Sequence, residues 1–298
     1  MRIDSFKKNN IIISADDFNK SEEKWKRLHY KNCDFELDIE NPKTLSDKMT
    51  FCDIYYNFNT ALFRKDTAKE EVTKILKTDK YCVPTYQVCE SVDDIDFDSL
   101  VGKSFVIKPN NKASSHGVFI QKKPLKTTEI QLYKNMLKDN RYICSTKRIV
   151  VERYIGAKNS KQKYMTDYKF WCFNGKPFCV LVIDQRSVKE HKKQSNFYDT
   201  EFHKIALRKK NDLEISRKIS KPKNFKTMID IASKIAKNMP CVRVDLYNVN
   251  GKIYFGECQK IYSFHCIFKD MSYNVSLADK LDISKIQRQV NVEKYKNK

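Results

Sequence analysis

A chain of 298 residues is long enough to bury a real core in one large domain or two to three small ones, and its apolar and charged fractions exclude a disordered protein. Its 58 basic and 37 acidic residues give a formal charge of +21, a field that draws polyanions: nucleic acid, an anionic membrane, or anionic metabolites and glycans. No window approaches the roughly 20 apolar residues that cross a bilayer, the N-terminus MRIDSFKKNN has no signal-peptide core, and the ten scattered cysteines form no Cys-x-x-Cys pair, so a cytoplasmic protein with reduced thiols and no zinc is expected.

Residues 1–40 are polar, with a short helix expected at SEEKWKRLHY. A second helix should open at Thr44, because Thr44 and Asp47 have capping-box spacing with Asp in place of the usual Glu. TAKEEVTKILK predicts a third, with Ala68, Val72, Ile75 and Leu76 on one face. From residue 81 the texture is extended: YCVPTYQVC, SFVIKPN and HGVFIQKK read as strands, and TTEIQLYKNMLKD as a helix. RIVVERYI and DYKFWCFNGKPFCVLVIDQR are strands rich in β-branched and aromatic residues, the latter folded at an Asn-Gly turn. KPKNFKTMIDIASKIAKNMP is the clearest helix: Phe225, Met228, Ile229, Ala232, Ile235 and Ala236 form its apolar stripe, and Pro240 stops it. The sum is an α+β protein with mostly antiparallel sheets.

RVDLYNVNGKIYFGECQ, residues 243–259, reads as a hairpin with an acid on each strand. A two-residue turn at Asn250-Gly251 sets Asp245 opposite Gly256 and Val244 opposite Glu257, which sends the acids to opposite faces. A three-residue loop, Val249-Asn250-Gly251, instead sets Arg243 opposite Glu257 and Asp245 opposite Phe255, so that the polar groups share a face. VNG suits a type I turn followed by a glycine at positive φ, and the three-residue loop is the expectation. Asp245, Glu257 and the Gln259 amide oxygen then surround one point whose hard oxygens suit Mg²⁺, with Arg243 beside them for a phosphate. The plainer alternative is an Arg243–Glu257 cross-strand ion pair.

Further groups point to a nucleotide. Lys108 ends an apolar strand, a place where lysine is disfavoured unless it meets an anion or water. The loop after it carries Ser114, Ser115, His116 and Gly117, which can fold over phosphates although the Walker A pattern is absent. Glu152 interrupts an apolar strand whose edge could present peptide groups to adenine, and Lys169 sits within a strand beside Asp167 and Phe170.

The order Lys, Ser/Gly loop, VExxI, Lys, RVD, GE resembles the ATP-grasp superfamily. From about residue 41 to 283 the chain is similar to the TupA-like ATP-grasp family, associated with teichuronic acid and other surface polysaccharides. NPKTLSDKMTF, VPTYQVCESVDDIDFDSL, FVIKPN, VERYI, DYKFWCFNGKPFCV, FYDTEF, KPKNFKTMIDIA, RVDLYNVNGKIYFGE and SLADKLDI carry the likeness. It implies ATP clamped between two antiparallel-sheet subdomains, with a mostly helical region over 1–80, a lid over 81–148, a metal and catalytic part over 149–290 and a charged tail over 291–298. It implies that Lys108 and Lys169 contact phosphates or adenine, that Glu152, Arg153, Tyr154 and Ile155 form an adenine hinge, and that residues 111–117 close over the triphosphate. Mg²⁺ falls to Asp245 and Glu257, with Gln259 at a third position. Three stretches depart from the family. NNKASSH replaces the loop glycines, RKDTAKEE stands for an Asp-Lys pair with Lys65 or Lys69 as the substitute, and CQKIYSFHC replaces a Thr-rich segment.

The expected activity is an Mg-ATP-dependent carboxylate–amine ligase that works through an acyl phosphate on an anionic sugar or glycan precursor in surface polysaccharide biosynthesis. In it Arg243 and Lys169 serve the phosphoryl transfer, and Arg186 holds an acceptor carboxylate. A kinase on the same scaffold and a degenerate polyanion-binding protein are the alternatives. No specific nucleic-acid partner is expected, and the charge allows peripheral contact with an anionic membrane.

Overall fold

The structure is a computed structural model that describes residues 5–8, 11–14, 38, 41–110, 117–140, 143, 148–156, 165–187, 192–209, 212–261 and 272–287. The helix expected at 21–30, the charged tail, and Ser114, Ser115 and His116 lie outside them. A short hairpin, β1 (Ser5–Lys8) and β2 (Ile11–Ser14), comes first, followed by helices α1 (Leu45–Tyr55) and α2 (Ala68–Leu76). Then come β3 (Thr85–Cys89), β4 (Phe105–Pro109), β5 (Phe119–Gln121), α3 (Ile130–Lys138) and β6 (Ile149–Arg153). The rest comprises β7 (Asp167–Phe173), β8 (Lys176–Ser187), β9 (Lys192–Tyr198), β10 (Lys204–Ile205), α4 (Phe225–Ala236), β11 (Cys241–Val249), β12 (Lys252–Gln259) and α5 (Ser272–Ser276).

Local chemistry sets these elements. The capping box at α1 forms with Asp: Thr44 N–H donates to Asp47 Oδ2 at 2.8 Å, and Asp47 N–H donates to Thr44 Oγ1 at 3.1 Å. In α2, Ala68 and Val72 are buried but Ile75 is exposed, so the stripe is narrower than the sequence suggests. In α4, Ile231 takes the buried place that the periodicity assigned to Ile229. The Asn174-Gly175 turn forms as expected, with φ of 48° and 78° and Phe173 opposite Lys176.

The strands build two larger antiparallel sheets, β3-β6-β4-β5 and β10-β9-β8-β7-β11-β12. The smaller sheet takes its strands from residues 85–153, so it runs past residue 148 to include β6. Its back face, with Phe105, Ile107, Ile149 and Val151, packs with Leu137 of α3. The larger sheet turns Phe170, Cys172, Val180, Val182, Val242 and Val244 toward α4, where the Phe170 and Phe225 rings lie 5.9 Å apart. Each sheet therefore spends one face on a core, and strand alternation leaves the other face for polar work.

The 243–259 hairpin corrects the expected loop. Val249 pairs with Lys252, so the turn is the two-residue Asn250-Gly251 pair, with both residues at positive φ (52° and 83°). Leu246 pairs with Phe255, not Asp245 with Phe255, and Arg243 pairs with Gln259, not Glu257. The acids converge nonetheless, because the ladder slips by one between Asp245 and Leu246 and sets Asp245 opposite Glu257. The extra residue in this bulge is Gly256. A Cβ there would stand 2.9 Å from the Tyr247 ring and 3.2 Å from the Asp245 carbonyl oxygen, so only glycine fits without a shift.

Candidate functional site

The two polar faces enclose one cavity of about 590 Å³. The smaller sheet contributes Val106, Lys108, Ile120 and Glu152, and the larger one Asp167, Lys169, Trp171, Arg243, Glu257 and Gln259. Nine basic residues line it against three acidic ones, an excess that focuses positive potential in the cleft.

The floor of the larger sheet is an ion cluster. Asp245 is 2% exposed and pairs in register with Lys169 on β7 and Glu257 on β12. Lys169 Nζ donates to Asp245 Oδ2 and lies 3.5 Å from Asp167 Oδ2. Arg243 grips Asp245 with two hydrogen bonds, Nε to Oδ1 at 2.7 Å and Nη2 to Oδ2 at 2.8 Å, and Nη2 also reaches Glu257 Oε1 at 3.2 Å. The cross-strand ion pair is thus real and coexists with the convergence. Burial works against ionisation of Asp245, but Arg243 and Lys169 outweigh it and hold its carboxyl at about 2. Burial also pulls the Lys169 ammonium below its usual range, with Asp245 opposing.

Facing it, Glu152 is buried between two lysines from different elements. Lys108 of β4 donates to one oxygen, and Lys69 of α2 lies 2.7 Å from the other. Lys69 is further tied to the Val83 carbonyl at 2.6 Å and Thr85 Oγ1 at 2.7 Å. Burial raises the Glu152 carboxyl, and the two ammonium groups more than compensate, leaving it below the usual carboxylate range. Removing a buried counterion leaves the others uncompensated. Glu152→Ala is expected to cost about 3–5 kcal/mol of stability, read by denaturant melting.

A second network joins α2's entry to the smaller sheet. Asp66 accepts from Arg64 at 2.8 Å and Arg148 at 2.7 Å, and its N–H donates to Asn110 Oδ1 at 3.2 Å. Burial raises the Asp66 carboxyl, but the hydrogen bonds from Arg64, Arg148 and Asn110 bring it to about 2. A carboxyl depressed on folding stabilises the fold above the unfolded pKa of about 4, and that contribution fades as pH falls toward about 2. The melting-temperature gap between the wild type and Asp66→Asn should therefore shrink as pH is lowered from about 5 to about 2.

Glu152, Arg153, Tyr154 and Ile155 all line the cavity, but the strand they leave is not an edge. β6 lies between β3 and β4, and the Arg153 and Tyr154 N–H groups donate to the carbonyls of Pro84 and Ser104 at 2.9 and 3.0 Å. The Arg153 and Tyr154 N–H groups are therefore spent within the sheet and are not offered to a base. Gly117, at φ 71°, precedes the lining residue Val118. Arg186 pairs with Lys193 near the end of β8, and its side chain lies outside the described residues. Lys65, Lys69, Lys193 and Lys209 also line the cavity. Of these, the sequence flagged Lys65 and Lys69 only through the departure from the family pattern, and Lys193 and Lys209 sit in basic runs that read as solvated surface.

A family model for TupA-like ATP-grasp proteins matches residues 55–282. The chain belongs to the TupA-like ATP-grasp family. The ATP-grasp arrangement expected from the sequence, two antiparallel sheets clamping a cleft, is the one observed. Among solved structures the chain is similar to the D-alanine–D-alanine ligase from Bacillus anthracis, at 20% identity and a TM-score of 0.42 over 73% of this chain and 64% of that one. It is also similar to the D-alanine–D-alanine ligase from Helicobacter pylori, at 15% identity and a TM-score of 0.42 over 80% and 69% of the two chains. For the D-cycloserine synthetase DcsG the values are 14% and 0.42 over 74% and 71%. The chain thus spans a little under two thirds of the Bacillus anthracis ligase. No curated protein matches.

Asp245 and Glu257 supply hard oxygens of the kind Mg²⁺ takes, with Asp245 beneath the cavity lining and both its oxygens bonded to Arg243 and Lys169. Asp245 and Glu257 approach closely enough to share one guanidinium nitrogen, so they already surround a positive charge. Among the described residues no cluster of three His, Cys, Asp or Glu forms. Two carboxylates suffice for an ion that takes the rest of its oxygen shell from phosphates and water. Among the described residues no helix is long and apolar enough to cross a membrane.

Proposed function

We propose that this protein is an Mg-ATP-dependent carboxylate–amine ligase that works in the cytoplasm on an anionic sugar or glycan precursor of surface polysaccharide. The observation that carries the reading is the convergence of Asp245, Glu257, Lys169 and Arg243 on one face of the larger sheet, across the cavity from Lys108 and Lys69. Asp245 and Glu257, with Gln259 beside them, hold Mg²⁺, which supplies positive charge to the phosphate oxygens. Lys108 and Lys69 neutralise the triphosphate from above, and the hinge of Glu152, Arg153, Tyr154 and Ile155 meets the base.

The substrate carboxylate attacks the γ-phosphorus and expels ADP, which gives an acyl phosphate. The amine then attacks the acyl carbon, phosphate leaves, and the amine loses a proton. Arg243 stabilises the phosphoryl group in flight, and Lys169 shares that charge. The protein's contribution is mainly position and preorganised charge. Arg186 remains the proposed contact for an acceptor carboxylate.

The test is ADP release from Mg-ATP with uronates and amino acids, followed by product mass. An amide together with free phosphate supports the ligase, and a stable gain of one phosphate points to the kinase. Failure to bind Mg-ATP leaves only a polyanion binder.

A further inference from the structure

Beyond the groups already given to the nucleotide, the cavity continues across the larger sheet to a second cationic end. From β7 the sheet steps to β8 and then β9, and each step is about 4.8 Å. On this face β8 presents Leu181 and Ile183, opposite Lys169 and Asp167 in register. β9 then presents Lys193, which lines the cavity and is half-buried. Lys209 lines the same cavity, four residues before a segment at Leu213 that pairs with β9. That segment is held by Leu213 N–H to the Lys193 carbonyl and Ser195 N–H to the Leu213 carbonyl, both at 2.8 Å. Lys193 therefore stands two strands, roughly 10 Å, from the β7 line, beyond the Leu181 and Ile183 positions and paired in register with Arg186 of β8.

From this placement we infer that Lys193 and Lys209 form an anion subsite for the acceptor, separate from the triphosphate groups. Its ligand is a small molecule whose body lies over Leu181 and Ile183 and whose carboxylate or phosphate meets the two ammonium groups. The role as acceptor site rests on the nucleotide reading above; the anion subsite itself does not.

Calorimetric titration of D-glucuronate, D-glucose 6-phosphate and D-glucose, with and without Mg²⁺ and a nonhydrolysable ATP analogue, decides it. At least one of the two anions should bind the wild type about tenfold or more tightly than glucose, since a hydrogen bond to a charged group is worth about that factor. The preferred anion tells carboxylate from phosphate. K193Q/K209Q should lose that preference while its affinity for the ATP analogue stays unchanged. K193R/K209R should keep anion affinity within a few-fold, which separates lost charge from lost fold. Equal binding of glucose and both anions, no anion binding to protein that has bound the analogue, or unchanged anion affinity in K193Q/K209Q overturns the subsite. Anion binding without analogue binding overturns the nucleotide reading alone.

Discussion

Asp245→Asn is expected to lower ATP-dependent turnover by about 10²–10³-fold or more, because the carboxylate proposed to hold Mg²⁺ against the phosphates loses its charge. Asparagine keeps the shape and one acceptor oxygen but not the charge. In the wild type that charge is held ionised by Arg243 and Lys169 against the cost of burial, so it is present at any working pH. Its loss leaves two buried cations facing each other, and a stability cost comes with it. Glu257→Gln separates the two effects, because the Glu257 side chain is 36% exposed and bonds Arg243 once. It should leave melting nearly unchanged and raise the Mg²⁺ concentration needed for half-maximal rate. Steady-state rates against Mg²⁺, with thermal melts, check both variants. Full turnover in Asp245→Asn would remove the basis for the proposed reaction.

Gly256→Val is expected to cost about 1–3 kcal/mol through overpacking and to lower turnover about 100-fold or more. The added atoms would meet the Tyr247 ring and the Asp245 carbonyl oxygen, so the bulge must open or the ladder must move. A regular ladder from the same turn would put Glu257 opposite Val244, which faces the core. Deleting Gly256 should do far less harm. Phe255 would still meet Leu246, and the next residue, Glu257, would still meet Asp245, now without a bulge. Melting curves and rates of the two variants test this, and a deletion variant less active than Gly256→Val would refute the account of the bulge.

Much of this architecture was legible in the chain itself. Capping chemistry placed the start of α1 at Thr44, the Asn174-Gly175 pair placed a hairpin, and apolar periodicity placed α4. Lys108, Lys169, Asp245 and Glu257 were conspicuous because each puts a charge into an apolar strand, where a charge needs a partner. These are local signals, written within a few residues of the feature they specify. The tertiary structure decided the rest. Val-Asn-Gly suits two loop lengths, and it is the packing of Phe255 and Ile253 into the core and of Tyr247 over Gly256 that selects the short turn with a bulge. Whether β6 is central or an edge depends on β3 and β4, distant in sequence. Lys193 and Lys209 looked like solvated charge, because nothing near them in the chain records which surface folds over them.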